Sequence, residues 1–298
     1  MLENGIEAFG LRDDAAVLGI PAGGPLVVSV DSVVEGVHFD LSLCSPGDVG
    51  WKALMGALSD LAAMGAGPLG ALVALCVPGG SGDGELAVGV MAGVAEASVA
   101  AGCPVVGGDV SGGDQLVAAV TVLGTTDQGG PGPVPRAGAQ PGDALLLTGP
   151  CGGSAAGLRA LRTGGATASS SAVRAYRRPV ARLAEGAAAR RCGAHAMIDV
   201  SDGLALDLHR LADASDLGFR LDEVPAAEGA TLEDALGGGE DYELLIAVSG
   251  ADVEALIGTF RREGLRLPAR VGTVASDPAL RLFGDGALDR LGWQHRLG

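Results

Sequence analysis

Apolar positions along this chain fall into short Val-rich runs separated by longer stretches with helical spacing. Residues 25–34 (PLVVSVDSVV), 70–77 (GALVALCV) and 115–125 (QLVAAVTVLGT) are β-branched and of strand length. Between the first two, Pro46 precedes GDVGWKALMGALSDLAAMGA, where Leu54, Leu58 and Leu61 recur at i, i+4 and i+7 on one helical face. A second helix is predicted over residues 85–101. Glu96, Gly102 and Pro104 interrupt the low-charge run 86–108, so it reads as a buried helix followed by a strand and not as a membrane span.

The second half repeats the alternation. A strand at 144–149 (ALLLTG) leads through a Gly-rich turn into the helical SAAGLRALR. Residues 164–172 (GGATASSSA) have little to bury and are expected to form a mobile loop. A basic helix is predicted from Arg174 to Arg191, followed by MIDVSDGLALDL (197–208), an apolar run within 237–249 (GGGEDYELLIAVS), and a last helix and strands. The segment 125–143 (TTDQGGPGPVPRAGAQPGD), dense in Gly and Pro, marks the expected domain boundary. The expected class is therefore α/β (α+β), with two domains over residues 1–135 and 136–298, and no fixed-period repeat.

Carboxylates break this apolar pattern at run ends, beside Gly or Ser, or within an apolar helix. They are Asp13 and Asp14 in RDDAAV, Asp31 and Glu35 (with His38) in SVDSVVEGVHF, Asp60 in LSDLAAMG, Asp109 in VVGGDVSGGD, and Asp199, Asp202 and Asp207 in MIDVSDGLALDL. Acids in apolar surroundings are costly without positive partners, and basic partners are scarce: 36 Asp and Glu stand against 20 Lys and Arg, a net charge of −16. That balance argues against a nucleic-acid groove or an anionic membrane surface. It is compatible with phosphate ligands if metal ions stand between, because Mg²⁺ takes one or two carboxylates plus phosphate oxygens and water. Gly107-Gly108-Asp109 would let the backbone approach a phosphate, and Ser201 is a candidate N-cap for a helix whose buried stripe is Leu204, Leu208 and Leu211.

Each acid also has a bland reading, as a turn residue, a helix cap or a solvated side chain; their joint occurrence points to a site. No P-loop, kinase H-R-D or D-F-G, G-x-S-x-G elbow or H-E-x-x-H is present. The isolated cysteines Cys44, Cys76, Cys103, Cys151 and Cys192 have no C-x-x-C spacing and read as reduced thiols of a cytoplasmic protein, and no signal peptide is visible.

These motifs, from DDAAVL through DSVVEGVHF, SDLAAMGA, GGDVSGG, RAGAQPGD and MIDVSDGLALDL to GGGEDYELL and GW at 292–293, resemble thiamine-monophosphate kinases, in the superfamily of aminoimidazole ribonucleotide synthetase. The resemblance implies an N-terminal ATP- and Mg²⁺-binding domain that forms a dimeric β-barrel interface, a C-terminal α/β domain that completes the cleft, and a homodimer. It implies Asp14, Ser29, Asp31, Asp60, Asp109, Asp199 and Asp202 at the metals, and Gly108, Asp109, Arg136 and Ser201 at ATP. His38, Glu240 and Trp293 are implied at thiamine monophosphate. The acceptor is itself a phosphate, so no general base is assigned, and the expected reaction is Mg²⁺-assisted in-line transfer.

The chain departs from the usual family pattern at Val30, where Thr is typical, at Ala57, where Asn is typical, and in the twelve residues before Asp13, where a longer segment is usual. Two further readings stay open: a related kinase for another small phosphate or alcohol, and a nucleotide-binding dimer without turnover.

Overall fold

The computed structural model describes residues 16–18, 24–79, 83–127, 130–164 and 170–294. Two α/β domains follow one another. The first comprises β1 (Ala16–Leu18), β2 (Leu26–Val34), α1 (Pro46–Ala63), β3 (Gly67–Pro78), α2 (Asp83–Ala101), β4 (Val105–Gly113) and β5 (Val117–Thr125). Its sheet runs β1-β2-β5-β3-β4, antiparallel except for the β3–β4 pair. Val27 and Val33 of β2, Val73 and Leu75 of β3, and Val120 and Val122 of β5 face α1 and α2, where they bury Leu54, Leu58, Leu61, Val90 and Val94.

Alternation along the strands puts the remaining residues on an open face. There Val30 (65%) and Leu72 (41%) are exposed. This sheet is open, and the described residues form no closed barrel within one chain.

The second domain comprises β6 (Ala144–Leu147), α3 (Gly153–Arg162), α4 (Ser171–Arg177), α5 (Leu183–Arg191), β7 (Ala196–Asp199), α6 (Leu204–Ser215), β8 (Gly218–Leu221), α7 (Leu232–Gly237), β9 (Leu244–Val248), α8 (Val253–Arg262), β10 (Ala269–Ala275), β11 (Arg281–Phe283) and β12 (Gly286–Ala287). Its strands run β12-β11-β8-β10-β6-β9-β7. Leu145, Leu147, Ile198 and Leu245 meet α6 on one face, and Leu146, Met197, Leu244 and Ile246 meet α5 and α8 on the other. Burial on both faces explains why ALLL and LLIAV are continuous apolar runs.

Three local expectations need correction. The helix predicted from Arg174 to Arg191 is two helices, α4 and α5, interrupted at residues 178–182, where Pro179 has no N–H to continue the ladder. The helix over 85–101 is not buried all round: Val88 and Val99 of α2 are 70% and 84% exposed. One face packs on α1, so closely that a Cβ on Gly93 would sit 1.8 Å from the Gly47 carbonyl oxygen. This helix is the one among the described residues long and apolar enough to cross a membrane, with a mean hydropathy of 1.4 over Gly84–Ala101. Finally, the loop expected at 164–172 is shorter. Ser170 accepts from the Val173 N–H and opens α4, while residues 165–169 lie outside the described residues.

Candidate active site

The site is organised by α1, which lies between the two sheets. Ser45 and Asp48 form a capping box and Pro46 occupies the first turn, so the helix starts sharply. At i, i+4 and i+7, Lys52, Gly56 and Ser59 present one stripe to the second domain. Lys52 Nζ is 2.8 Å from Glu240 Oε2. Ser59 Oγ donates to Asp199 Oδ2 at 2.6 Å. A Cβ on Gly56 would lie 3.1 Å from both Asp31 Oδ2 and the Tyr242 hydroxyl, which shows how closely these two groups approach the helix. Beside the stripe, Asp60 accepts from Ser29 Oγ of β2 at 2.5 Å.

The second domain contributes the end of β7, the turn after it, and the loop before β9. These lock together through backbone hydrogen bonds. Glu240 N donates to the Ser201 carbonyl at 2.7 Å, Tyr242 N to Val200 at 2.8 Å, and Trp293 N to Asp202 at 2.8 Å. The loop is bent enough that Glu240 and Tyr242 take left-handed backbone angles, φ 64° and 51°. Such positions are uncommon for non-glycine residues and cluster at functional sites. A cavity of about 350 Å³ opens beside it, lined by Ala155, Glu233, Asp234, Gly237, Gly238, Leu291 and Gly292.

Electrostatics mark the same place. Burial, then the negative charge of Glu240, Asp31, Asp199 and Asp60, pushes the Tyr242 phenol well above its ordinary pKa. It therefore stays protonated, a fixed O–H amid carboxylates drawn from both domains. Asp31 is also raised, by burial first; the Ser32 N–H and His38 oppose this, and Glu240 and Asp202 add to it.

Two further groups temper the negative charge, contrary to the expectation that basic partners are lacking in MIDVSDGLALDL. Arg210 Nη1 lies 2.5 Å from Asp202 Oδ2 and 2.6 Å from Asp207 Oδ1, and Ser59 hydrogen-bonds Asp199. Asp207 has a local job as well. Its Oδ2 accepts from the N–H groups of Asp202 and Gly203 at 3.0 and 3.1 Å. The expected cap at Ser201 is thereby corrected: Gly203, at φ 128°, is the N-cap residue, and Asp207 reaches back from inside α6.

Of the sequence-predicted residues, Ser29, Asp31, Asp60, Asp199, Asp202, Ser201, Glu240 and Trp293 gather at this junction. His38 joins them from the turn after β2, where its Nδ1 accepts from Val34 N at 3.0 Å. Gly108 and Asp109 do not. They sit on the exposed edge strand β4, three strand spacings from β2, or roughly 14 Å. Gly108 has a structural reason to be glycine, because a Cβ there would come within 2.1 Å of the Val73 carbonyl oxygen of β3. Arg136 is half-buried on the segment where Pro135 accepts from Met197 N of β7. Asp14 lies outside the described residues. Val30 exits on the open face, opposite Ser29 and Asp31, so the Thr-to-Val departure removes no hydroxyl from this chain's acid cluster; Ala57 is fully buried in the core.

Lys52, Ser59, Tyr242 and Arg210 were not singled out from sequence. The helical spacing of Lys52, Ser59 and Asp60 was the available signal for the first two. Arg210 stands three residues after Asp207, on the same helical face.

Comparison with known proteins bears on this arrangement. The AIR synthase related protein N-terminal domain matches residues 12–126 and the C-terminal domain residues 140–285. The thiamine-monophosphate kinase of Bacillus subtilis is 37% identical over 83% of this chain and 79% of its own length. That of Halobacterium salinarum is 36% identical over 95% of this chain and 94% of its own. The solved structure of AaThiL complexed with AMPPCP and TMP superposes with a TM-score of 0.83 at 28% identity, covering 96% of this chain and 91% of that one. With both domains matched in order and its acids gathered where they meet, the chain belongs to the thiamine-monophosphate kinase family.

Proposed function

We propose that this protein is a soluble, cytoplasmic kinase that transfers the γ-phosphoryl group of ATP to thiamine monophosphate, giving thiamine diphosphate. The observation that carries the reading is the convergence of Asp31, Asp60, Asp199 and Glu240, from both domains, about the protonated Tyr242 hydroxyl, with Asp202 close enough to act on Asp31. Family membership supports the choice of substrates.

The donor set suits Mg²⁺. The acids are hard oxygen ligands in excess over nearby cations. Among the described residues no three His, Cys, Asp or Glu side chains are grouped so as to hold an ion by themselves. Mg²⁺ commonly takes one or two carboxylates and completes its shell with phosphate oxygens and water. Asp31, Asp60, Asp199 and Asp202 would hold the metals, with Ser29 fixing Asp60 and Asp14 as a further ligand; Asp109, three strand spacings away on β4, stands outside this set. Bound Mg²⁺ supplies charge neutralisation between two polyanions and favours in-line alignment.

The protein's own part is positioning. Ser59 orients Asp199, Arg210 steadies Asp202, and Tyr242 keeps an O–H donor at the point where the domains meet. Gly108, Arg136 and Ser201 would contact ATP. His38, Glu240 and Trp293, beside the cavity at Gly238 and Leu291, would contact the acceptor. Its phosphate is a nucleophile without deprotonation, so no carboxylate need act as base. The exposed apolar face carrying Val30, Leu72 and Val106 supports pairing with a second copy in a barrel-like homodimer.

The acceptor is tested by incubating the protein with ATP, Mg²⁺ and either thiamine monophosphate or thiamine. Thiamine diphosphate formed from the monophosphate alone is the expected result. Phosphorylation of thiamine, or ATP binding without product from either acceptor, would overturn the assignment.

A further inference from the structure

Of the twenty basic residues in this chain, nineteen are arginine and one, Lys52, is lysine. It is also among the most deeply buried large side chains, 1% exposed, on the α1 stripe that faces the second domain. Its ammonium group lies 2.8 Å from Glu240 Oε2, 3.3 Å from the His38 carbonyl oxygen and 4.1 Å above the Tyr176 ring. Two acceptors and a π-face on three sides suit a compact ammonium with rotatable donors; a planar guanidinium could not satisfy the same slot.

The partner is unusual too. Glu240 gives one oxygen to Lys52, while the other, Oε1, is buried and has no hydrogen-bond partner among the described residues. Its backbone is held at φ 64° by the bond to Ser201. Stability alone explains this poorly. A buried ion pair gains little over apolar residues of the same volume, and an unsatisfied buried oxygen is a net cost. A carboxylate gripped by one oxygen and left vacant at the other is instead suited to receive a ligand donor.

We infer that Lys52 is a positioning residue for the phosphoryl acceptor: it fixes Glu240 so that Oε1 meets an N–H or cationic ring of the acceptor, and through the His38 carbonyl it ties a second acceptor-contacting segment to the same point. The inference rests on the reading of Glu240 as an acceptor contact. Lys52 itself need not touch the substrate.

The test is steady-state kinetics on the full chain for Lys52→Met, Lys52→Arg, Glu240→Gln and the double variant Lys52→Met/Glu240→Gln, with thermal melts to verify folding. Lys52→Met should raise KM for thiamine monophosphate by about 30-fold or more, with KM for ATP and kcat changed by less than about threefold. Lys52→Arg should not rescue it. In the Glu240→Gln background, Lys52→Met should add less than about threefold, because the two residues act as one unit. A folded Lys52→Met with an unchanged acceptor KM, or additive losses in the double variant, overturns the positioning role. An unchanged acceptor KM in Glu240→Gln overturns the underlying assignment of Glu240, and this inference with it. If Lys52→Met does not fold, comparing the double variant with Glu240→Gln alone decides the same point, since the double variant removes both charges.

Discussion

Arg210→Met should destabilise this protein in a pH-dependent way, and the structure sets the size of the effect. Arg210 bonds Asp207, which is fully buried, and Asp202, which is not. Burial pushes Asp207 up to about 6, with Arg210 acting against that rise and Asp202 adding to it. Because the folded value exceeds the ordinary 3.8, the group favours folding fully below pH 3.8 and loses that contribution as pH rises through 6. In wild type the loss stops above about 6, because the carboxyl is then ionised in the folded and unfolded chain alike, Arg210 having kept the folded value from rising further. Without Arg210 the buried carboxyl stays protonated to higher pH, and the loss continues. At pH 8, two units above 6, the variant forgoes at most about 3 kcal/mol, the full value applying where Asp207 stays protonated; at pH 5, where Asp207 is protonated in both proteins, this contribution is near zero. Urea denaturation followed by circular dichroism at pH 5 and pH 8 measures the difference. Arg210→Met/Asp207→Asn should recover most of the loss at pH 8, since the Asn carbonyl still accepts from the turn. An equal loss at both pH values, or no recovery in the double variant, would refute the reasoning.

The other expectations concern separate parts of the molecule. Asp31→Asn should abolish Mg²⁺-dependent turnover and leave Tm unchanged or higher, because it removes a carboxylate that burial already disfavours; a folded variant with full activity contradicts the site. Asp241 accepts from Gly152 N and Ser154 N at the start of α3, and burial pushes it up to about 7. Its contribution to stability is thus lost as pH rises through 7, about 3 kcal/mol between pH 5 and pH 8, and Asp241→Asn should flatten that part of the stability–pH curve. Gly108→Ala must push β4 from β3, because its Cβ would come within 2.1 Å of the Val73 carbonyl oxygen; a loss of about 2 kcal/mol in urea is expected.

Much of the fold was legible because its signals are local. The Val-rich runs became β2, β3 and β5, and the Leu54, Leu58 and Leu61 face became the core contact of α1. Pro179 stands in a basic, Ala-rich stretch whose composition is otherwise helical, so 174–191 reads as one helix where the fold has two. The buried face of α2 was over-read because a helix of Ala, Val and Gly looks apolar all round, whereas its packing is confined to the side where Gly93 meets Gly47.

In the site, the acids were found by their position at run ends, beside Gly or Ser or within an apolar helix, and by their joint occurrence. Their immediate partners were not. Ser59, Lys52 and Tyr242 acquire meaning only when α1 is set against the loop before β9, a long-range contact that no spacing in the chain encodes. Arg210 was missed for a different reason: its helical proximity to Asp207 is local, but an overall shortage of basic residues was read as a local one. Asp109 belongs to the same motif set yet lies on another edge of the sheet, so a shared motif did not mean a shared location within one chain.

The central claim is that the acids between the domains hold Mg²⁺ for phosphoryl transfer to thiamine monophosphate. The measurement that meets it most directly is a Mg²⁺ titration of chelator-treated protein with ATP and thiamine monophosphate present, quantifying thiamine diphosphate for wild type and Asp31→Asn in parallel. The account predicts no product without Mg²⁺, a saturable rise in wild type, and a flat response in folded Asp31→Asn. Product without the metal, or equal rates from the two proteins, would contradict it.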